Sequence, residues 1–334
     1  MMKSSQCLIV ANPAAGTVSE AIVEEAARIA ARHLPAVRTF WTTKRGDATA
    51  EVRRHVAQSA DEGKRGVVVA VGGDGTVSEV VEGLVGHGGS HDSSSINTVN
   101  TMSRSFDQAL FVVPAGTGNS NYRSHWGELP WQDALEAGLA GLPGTVTRLD
   151  LARVSELEEL VVLGAGAGLT AKVLESAREV PLTGRARLAA ALDHAAARYT
   201  PYEGRVTVDG VVLHEGKTVL ANVGGGPYRA WQYTVLPHSV LDDGLLDVCV
   251  VGAEVDAVEV PGLLRNAEHI GLPGVYYGQG RQVVIERIDG APLCFEHDGE
   301  LKAGIGPRFT VDVLPGALPT LCAPARINGK DLAE

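Results

Sequence analysis

Between Val67 and Thr76 the chain reads VVVAVGGDGT, a β-branched apolar run that breaks into Gly72, Gly73, Asp74, Gly75 and Thr76 before the pattern turns helical. Glycine at a strand end lets backbone amides come close to a ligand, and a helix starting there presents the positive end of its dipole. Both features favour phosphate. Asp74 has the wrong charge to bind phosphate directly, so its place suits a magnesium ion shared with phosphates, or a hydroxyl or water in that ion's shell. A plainer reading makes these residues a tight strand-to-helix turn with Asp74 as its cap.

Three more loops carry compatible groups. NPAAG (Asn12 to Gly16) ends the first strand-like run, TTKRGDA (Thr42 to Ala48) follows the second, and VPAGTGNSNYR (Val113 to Arg123) follows the fourth. Each alone is ordinary loop punctuation. After four successive strands of a parallel sheet they would gather on one edge, where such sheets bind ligands.

Two acidic turns lie further on. FEHDGE (Phe295 to Glu300) contains Asp298 and Glu300; Asp-Gly between strand-like runs is a hairpin signal, repeated in VTVDGVVL and ERIDGAPL, so the local pattern makes Asp298 a turn residue. LDDGLLDV (Leu241 to Val248) offers Asp242, with Asp247 or nearby carbonyls, to a hard cation, or else forms a solvated acidic turn. In LVVLGAGAGL, Gly164, Gly166 and Gly168 follow GxGxG rather than the dinucleotide pattern GxGxxG. No helix-bearing βαβ unit is expected after them, so they read as sites of close backbone packing. His194 and His297 lack metal-ligand spacing and read as surface or structural residues.

Residues 1–146 alternate apolar runs with helical patterns at Ser19 to His33, Asp47 to Ala60 and Val77 to Val85, and a polar helix follows ALFVVPAG. That alternation predicts an α/β domain with a mainly parallel sheet. Residues 147–315 are strand-rich with only two helical stretches, which predicts an antiparallel β domain. The chain is expected to return to the first domain over about residues 316–334. Gly86 to Asp107, polar and without period, reads as disorder or as a functional lid.

A chain of 334 residues is long enough for two cores. The net charge of −11 disfavours nucleic acid and general attraction to anionic lipid, so membrane docking would need a local basic patch. Lys172, Arg178, Arg185, Arg187 and Arg198 are candidates for such a rim, or for a solvated helix face. Cys7, Cys249, Cys294 and Cys322 form no CxxC pair, which points away from zinc and towards ordinary thiols in a reducing compartment. No signal segment or spanning stretch is read, so a cytoplasmic location is expected, with peripheral contact at the inner membrane face left open.

Together, GGDGT, NPxxG, TxxxGxA and PxGTxN resemble the marks of the diacylglycerol kinase catalytic family, which includes bacterial lipid kinases and sphingoid-base kinases and belongs with NAD kinases and phosphofructokinases in one superfamily. The resemblance continues through LGAGAGLTAKV, ANVGGGPY, LDDGLLDV and FEHDGE, and so covers almost the whole chain. It implies an NAD kinase-like α/β domain, a larger antiparallel β-rich domain and an active site in the cleft between them. Asn12, Thr43, Gly72, Gly73, Asp74, Gly75, Thr76, Gly116, Thr117 and Asn119 would surround the nucleotide. Asp298 would be the general base, Glu300 a supporting contact and Asp74 a catalytic carboxylate; Asp242 and Asp247 would hold a structural magnesium.

The implied reaction moves the γ-phosphoryl group of ATP, with Mg2+, to a hydroxyl of a diacylglycerol-like or sphingoid lipid. A soluble alcohol or nucleotide acceptor and a non-catalytic lipid- or nucleotide-binding regulator are the alternatives. A homodimer is left open. Neither the Walker loop nor a protein-kinase HRD segment occurs. Ser120 stands where the family often has Asp, and Ser78 and Glu82 stand where asparagines are frequent.

Overall fold

The computed structural model describes residues 5–86, 108–302, 304 and 306–323. Most of the polar stretch read as disorder or lid lies outside them, as do residues 324–334. The first half builds β1 (Ser5–Ala11), α1 (Glu20–His33), β2 (Ala36–Trp41), α2 (Asp47–Asp61), β3 (Arg65–Gly72), α3 (Asp74–Val85) and β4 (Gln108–Pro114). The four strands run parallel in the order β2-β1-β3-β4. Strands β1, β3 and β4 are buried almost throughout, which their unbroken Val, Ile and Leu runs require under helices on both faces. In α1, Val23, Ala26, Ile29 and Ala30 form one buried stripe, and the Ser19 hydroxyl accepts from the Ile22 amide to cap the first turn.

Helices α4 (Ser120–Trp126) and α5 (Trp131–Ala140) precede β5 (Val146–Val154), β6 (Glu159–Val161), β7 (Ala165–Gly168), α6 (Leu169–Ser176) and α7 (Gly184–Ala196). Strands β8 (Tyr202–Val208), β9 (Val211–Gly224), β10 (Tyr228–Arg229), β11 (Tyr233–Thr234) and β12 (Leu246–Gly252) come next, then α8 (Val260–Arg265) and β13 (Val275–Gly280). The described chain closes with β14 (Gln282–Arg287), β15 (Phe295–His297), β16 (Glu300–Lys302) and β17 (Arg308–Leu321). Pairings among the strands of this half are antiparallel, including β15 on β7, β7 on β9 and β8 on β9. The molecule therefore joins an α/β half to an antiparallel β-rich half.

Three details differ from the sequence reading. α3 begins at Asp74 rather than Val77, because its first turn is made by the glycine-rich loop itself. α4, expected as a polar helix, is buried at six of its seven positions. A helix does follow the GxGxG segment, since α6 starts at Leu169, and the second half has three described helices instead of two.

Strand β17 belongs to both halves. Its first residues pair with β14, its length pairs antiparallel with β5, and Thr320 pairs parallel with Leu110 of β4. Leu318, Leu321 and Cys322 enter the core of the first half, and the Trp126 indole donates to the Leu321 carbonyl at 3.0 Å. Deleting a fully buried leucine side chain leaves a cavity and typically costs about 2–5 kcal/mol. Leu321→Ala should lose stability in that range in urea denaturation; a loss of less than about 1 kcal/mol would show that the strand end adds little to the core.

Candidate active site

Three loops meet beyond the carboxyl ends of β1, β3 and β4. The Asn12 amide donates to the Val71 carbonyl at 3.1 Å, and the Thr17 amide donates to the Ala115 carbonyl at 2.9 Å. The Asn12 carboxamide donates to the Thr76 hydroxyl at 3.2 Å. Where the second and third loops cross, a β-carbon on Gly116 would sit 2.1 Å from the Gly73 α-carbon. Only glycine permits that crossing. Gly72 is equally constrained, since a β-carbon there would fall 2.5 Å from the Thr76 hydroxyl oxygen.

The crossing sets the place of Asp74. Its carboxylate accepts from the Ser120 amide at 3.3 Å and from the Asn121 amide and carboxamide at 3.2 and 3.0 Å. It thus caps α4 and not its own helix, whose N-cap is Gly73. Burial pushes the Asp74 carboxyl above the ordinary range, the Asn121 and Ser120 donors oppose the rise, and the Asp298 charge adds to it. Ser120 takes up the missing family carboxylate's position with a neutral hydroxyl that accepts from the Trp231 amide at 3.2 Å.

Asp298 is a hairpin residue and a cleft residue at once. With Gly299 it forms the two-residue turn between β15 and β16, both at positive φ (49° and 79°). Its carboxylate accepts from the amides of Val162 (2.9 Å), Leu163 (2.7 Å) and Gly164 (3.3 Å), and from the Ser78 hydroxyl of α3 at 3.4 Å. Glu300, two residues on, pairs with Arg45 of the TTKRGDA loop at 2.6 Å and with Lys302 at 3.4 Å.

Two cavities flank this centre. One, of about 720 Å³, is lined by Asn12, Thr43, Gly73, Gly75, Thr76, Asp298 and Glu300 among others. The other, of about 340 Å³, is an apolar slot between α6, α7 and β9, lined by Val173, Leu174, Leu188, Leu192, Leu220 and Leu264. Asp74, Thr117 and Gly299 face the slot, so the carboxylate segments stand between the two spaces. Of the other expected contacts, Gly72 and Gly116 shape the loops, and Asn119 uses its carboxamide on the Gly116 amide and carbonyl at 2.8 and 2.9 Å. Thr43 is held by Asp47, which accepts from its amide and hydroxyl.

The basic candidates divide. Arg185 stacks on Trp231 with its guanidinium carbon 4.5 Å from the ring centroid and donates to the Thr117 carbonyl beside the slot. Lys172 pairs with Glu175, Arg187 donates to the Ala177 carbonyl, Arg198 meets His194, and Arg178 is exposed. His297 is buried against Glu159 at 2.6 Å. Gly164, just before β7, permits close approach, as a β-carbon on it would strike the Arg229 guanidinium.

Metal donors are sparse. Among the described residues no three carboxylate, imidazole or thiol side chains converge on one metal position. The pairing of Asp242 with Asp247 is not what the structure brings together: Asp242 feels Asp150 and Asp243, whereas Asp247 is buried under Tyr277 and Gln279. Magnesium is commonly held by one or two carboxylates completed by water and substrate phosphates, and Asp74 beside Asp298 fits that pattern.

Sequence reasoning did not single out Asn222, Arg229 or Glu296. All three line the slot, and two lie in the quoted segments ANVGGGPY and FEHDGE. The signal that would have found them is strand register: Asn222 and Glu296 are the direct cross-strand partners of Gly166.

A glycine-lined edge of a parallel sheet faces a β-rich half across a cleft, an NAD kinase-like architecture. Residues 6–154 match the diacylglycerol kinase catalytic domain, and residues 164–322 match the YegS C-terminal NAD kinase beta sandwich-like domain. Residues 6–154 thus form a diacylglycerol kinase catalytic domain, and the two matches together span most of the chain. A relative from Pseudomonas aeruginosa named "Probable lipid kinase YegS-like" is 28% identical over 320 residues, covering 95% of this chain and 94% of its own. One of the same name from Pectobacterium atrosepticum is 27% identical and covers 86% and 87%. The crystal structure of a diacylglycerol kinase from Bacillus anthracis str. Sterne shares the fold, with a TM-score of 0.68, 19% identity, and 97% and 99% of the chains covered. No helix among the described residues is long and apolar enough to cross a membrane.

Burial pushes the Glu296 carboxyl up to about 7, against the pull of Arg229. The folded protein therefore holds a proton there that the unfolded chain releases, so stability falls as pH rises from near 4.5 to about 7 and levels off above it. Glu296→Gln removes that slope. Urea denaturation from pH 5 to 8 should show the variant gaining roughly 1–3 kcal/mol on the native protein across the range; parallel curves would refute the shift.

Proposed function

We propose that the protein phosphorylates a hydroxyl of a lipid, using ATP and Mg2+. The observation that carries the reading is the juxtaposition of the polar cleft and the apolar slot on either side of Asp74 and the Asp298–Gly299 turn. The cleft supplies what a triphosphate needs: the Gly75 amide in the first turn of α3, the Thr43 and Thr76 hydroxyls, and glycine loops that leave backbone open to phosphate. The slot supplies what an alkyl chain needs, a wall of leucine and valine, and this favours a lipid over a soluble alcohol.

Bound magnesium would spread the charge of the transferring phosphoryl group, with Asp74 as the protein carboxylate beside it. An alcohol near neutral pH is a weak nucleophile, and Asp298 is the base in this reading. The three backbone amides of residues 162–164 fix its direction, and Ser78 ties it to the phosphate-binding helix. Glu300 and Arg45 connect the two walls at the mouth of the cleft. Arg185 and Trp231 lie at the slot beside Thr117, where a headgroup would emerge.

The test supplies labelled ATP with a lipid extract or with an aqueous metabolite extract. Label in an organic-phase product supports the reading, and label confined to the aqueous product overturns the lipid assignment. Asp298→Asn should reduce turnover about a hundredfold or more with the fold intact by circular dichroism. Near-normal turnover would remove Asp298 from the mechanism.

A further inference from the structure

The slot is not apolar throughout. On the sheet at one end, β15, β7 and β9 lie side by side, with Glu296, Gly166 and Asn222 in register across them. Gly166 has no side chain, which lets its neighbours close over it. A β-carbon there would lie 2.6 Å from the Thr170 hydroxyl, 2.8 Å from the Asn222 amide nitrogen and 3.1 Å from a Glu296 carboxyl oxygen. Three polar side chains from three elements therefore converge on one small volume, and all three line the slot.

Asn222 is the informative member. It is fully buried at 0% exposure, yet neither its amide nitrogen nor its carbonyl oxygen has a hydrogen-bond partner in the chain. Burying an amide without partners is costly, and native proteins rarely leave both ends open. Glu296 is 7% exposed, its second oxygen accepts from the Gly299 amide at 3.1 Å, and Gly299 immediately follows Asp298. Glu296 thus shares a hairpin with the proposed base.

We propose that Asn222, Glu296 and Thr170 form a seat on the slot wall for a second polar group of the acceptor, a hydroxyl or an amine adjacent to the hydroxyl that is phosphorylated. This rests on the reading of the slot as the acceptor site. A hydroxyl suits the seat because it donates to an oxygen of Asn222 or Glu296 while accepting from the Asn222 amide. An amine suits the carboxyl. A simple long-chain alcohol satisfies none of these groups and leaves the buried amide unpaired, so it should bind more weakly than its vicinal derivatives. Asn222 and Glu296 are specificity-determining residues on this view, acting on the acceptor's shape and not on the phosphoryl group.

Calorimetric titration of the full chain with dodecanol, the vicinal dodecanediol and the vicinal amino alcohol reads the seat directly. The native protein should bind the diol or the amino alcohol about tenfold or more tighter than dodecanol. Asn222→Ala should bring that ratio to within about twofold, and Glu296→Gln, which keeps the side chain's shape, should lower it in the same direction. Loss of preference for the amino alcohol alone in Glu296→Gln assigns the amine to the seat, and loss for the diol assigns the hydroxyl. Equal affinity for all three ligands in the native protein, no measurable binding of any, or a ratio unchanged in both variants overturns the seat. A preference in binding without phosphoryl transfer to any of the three would overturn the kinase reading and leave the seat standing.

Discussion

The structure depends on the contact between two glycines. Gly116 passes so close to Gly73 that it cannot carry a side chain, a β-carbon on Gly73 would itself be tight at 3.2 Å, and the contact brings the end of β3 onto the loop after β4. Asp74 is thereby delivered to the amides that start α4, and Gly118 must also lack a β-carbon, which would lie 2.6 Å from the Asp74 carboxylate. Close backbone approach and a buried carboxylate are two results of one packing constraint. They place the glycine loop and the first residue of α3 on opposite sides of a single turn.

From that turn the division of labour follows. Towards the first half, backbone amides and hydroxyls make a polar cleft; towards the second, helices α6 and α7 lie over β9 and leave an apolar slot. The Asp298 hairpin is tied to both sides, by Ser78 to α3 and by residues 162–164 to the segment leading into β7. Arg229 is buried among Glu296, Asp298 and Asp74, and its positive charge offsets part of their mutual repulsion.

Much of this was legible in the chain. Unbroken Val and Ile runs ending in glycine marked β1, β3 and β4 and the edge where their loops gather, because parallel strands buried on both faces leave that trace. Asp298 was read both as a turn residue and, through the family likeness, as a base; the structure gives the turn directly, and the turn is what aims the carboxylate. Asn222, Arg229 and Glu296 were not legible. Their meeting depends on which strands pair across long stretches of sequence, and nothing near Gly166 records that a carboxyl and a carboxamide will stand beside it. Asp242 and Asp247, near in sequence, lie in different surroundings, since Asp247 enters β12 and is buried under Tyr277.

Strand β17 carries a mechanical implication. Because one unbroken stretch of backbone is hydrogen-bonded into the sheets of both halves, they cannot separate as hinged lobes joined by a slack linker. The ladder to β5 is interrupted only between Leu314 and Leu318, where Gly316 takes a φ of 58° and its amide is tethered to Asp150. Widening of the crevice has to flex the common spine at that irregularity, so a change of shape on one side is felt on the other through a rigid rod instead of through solvent.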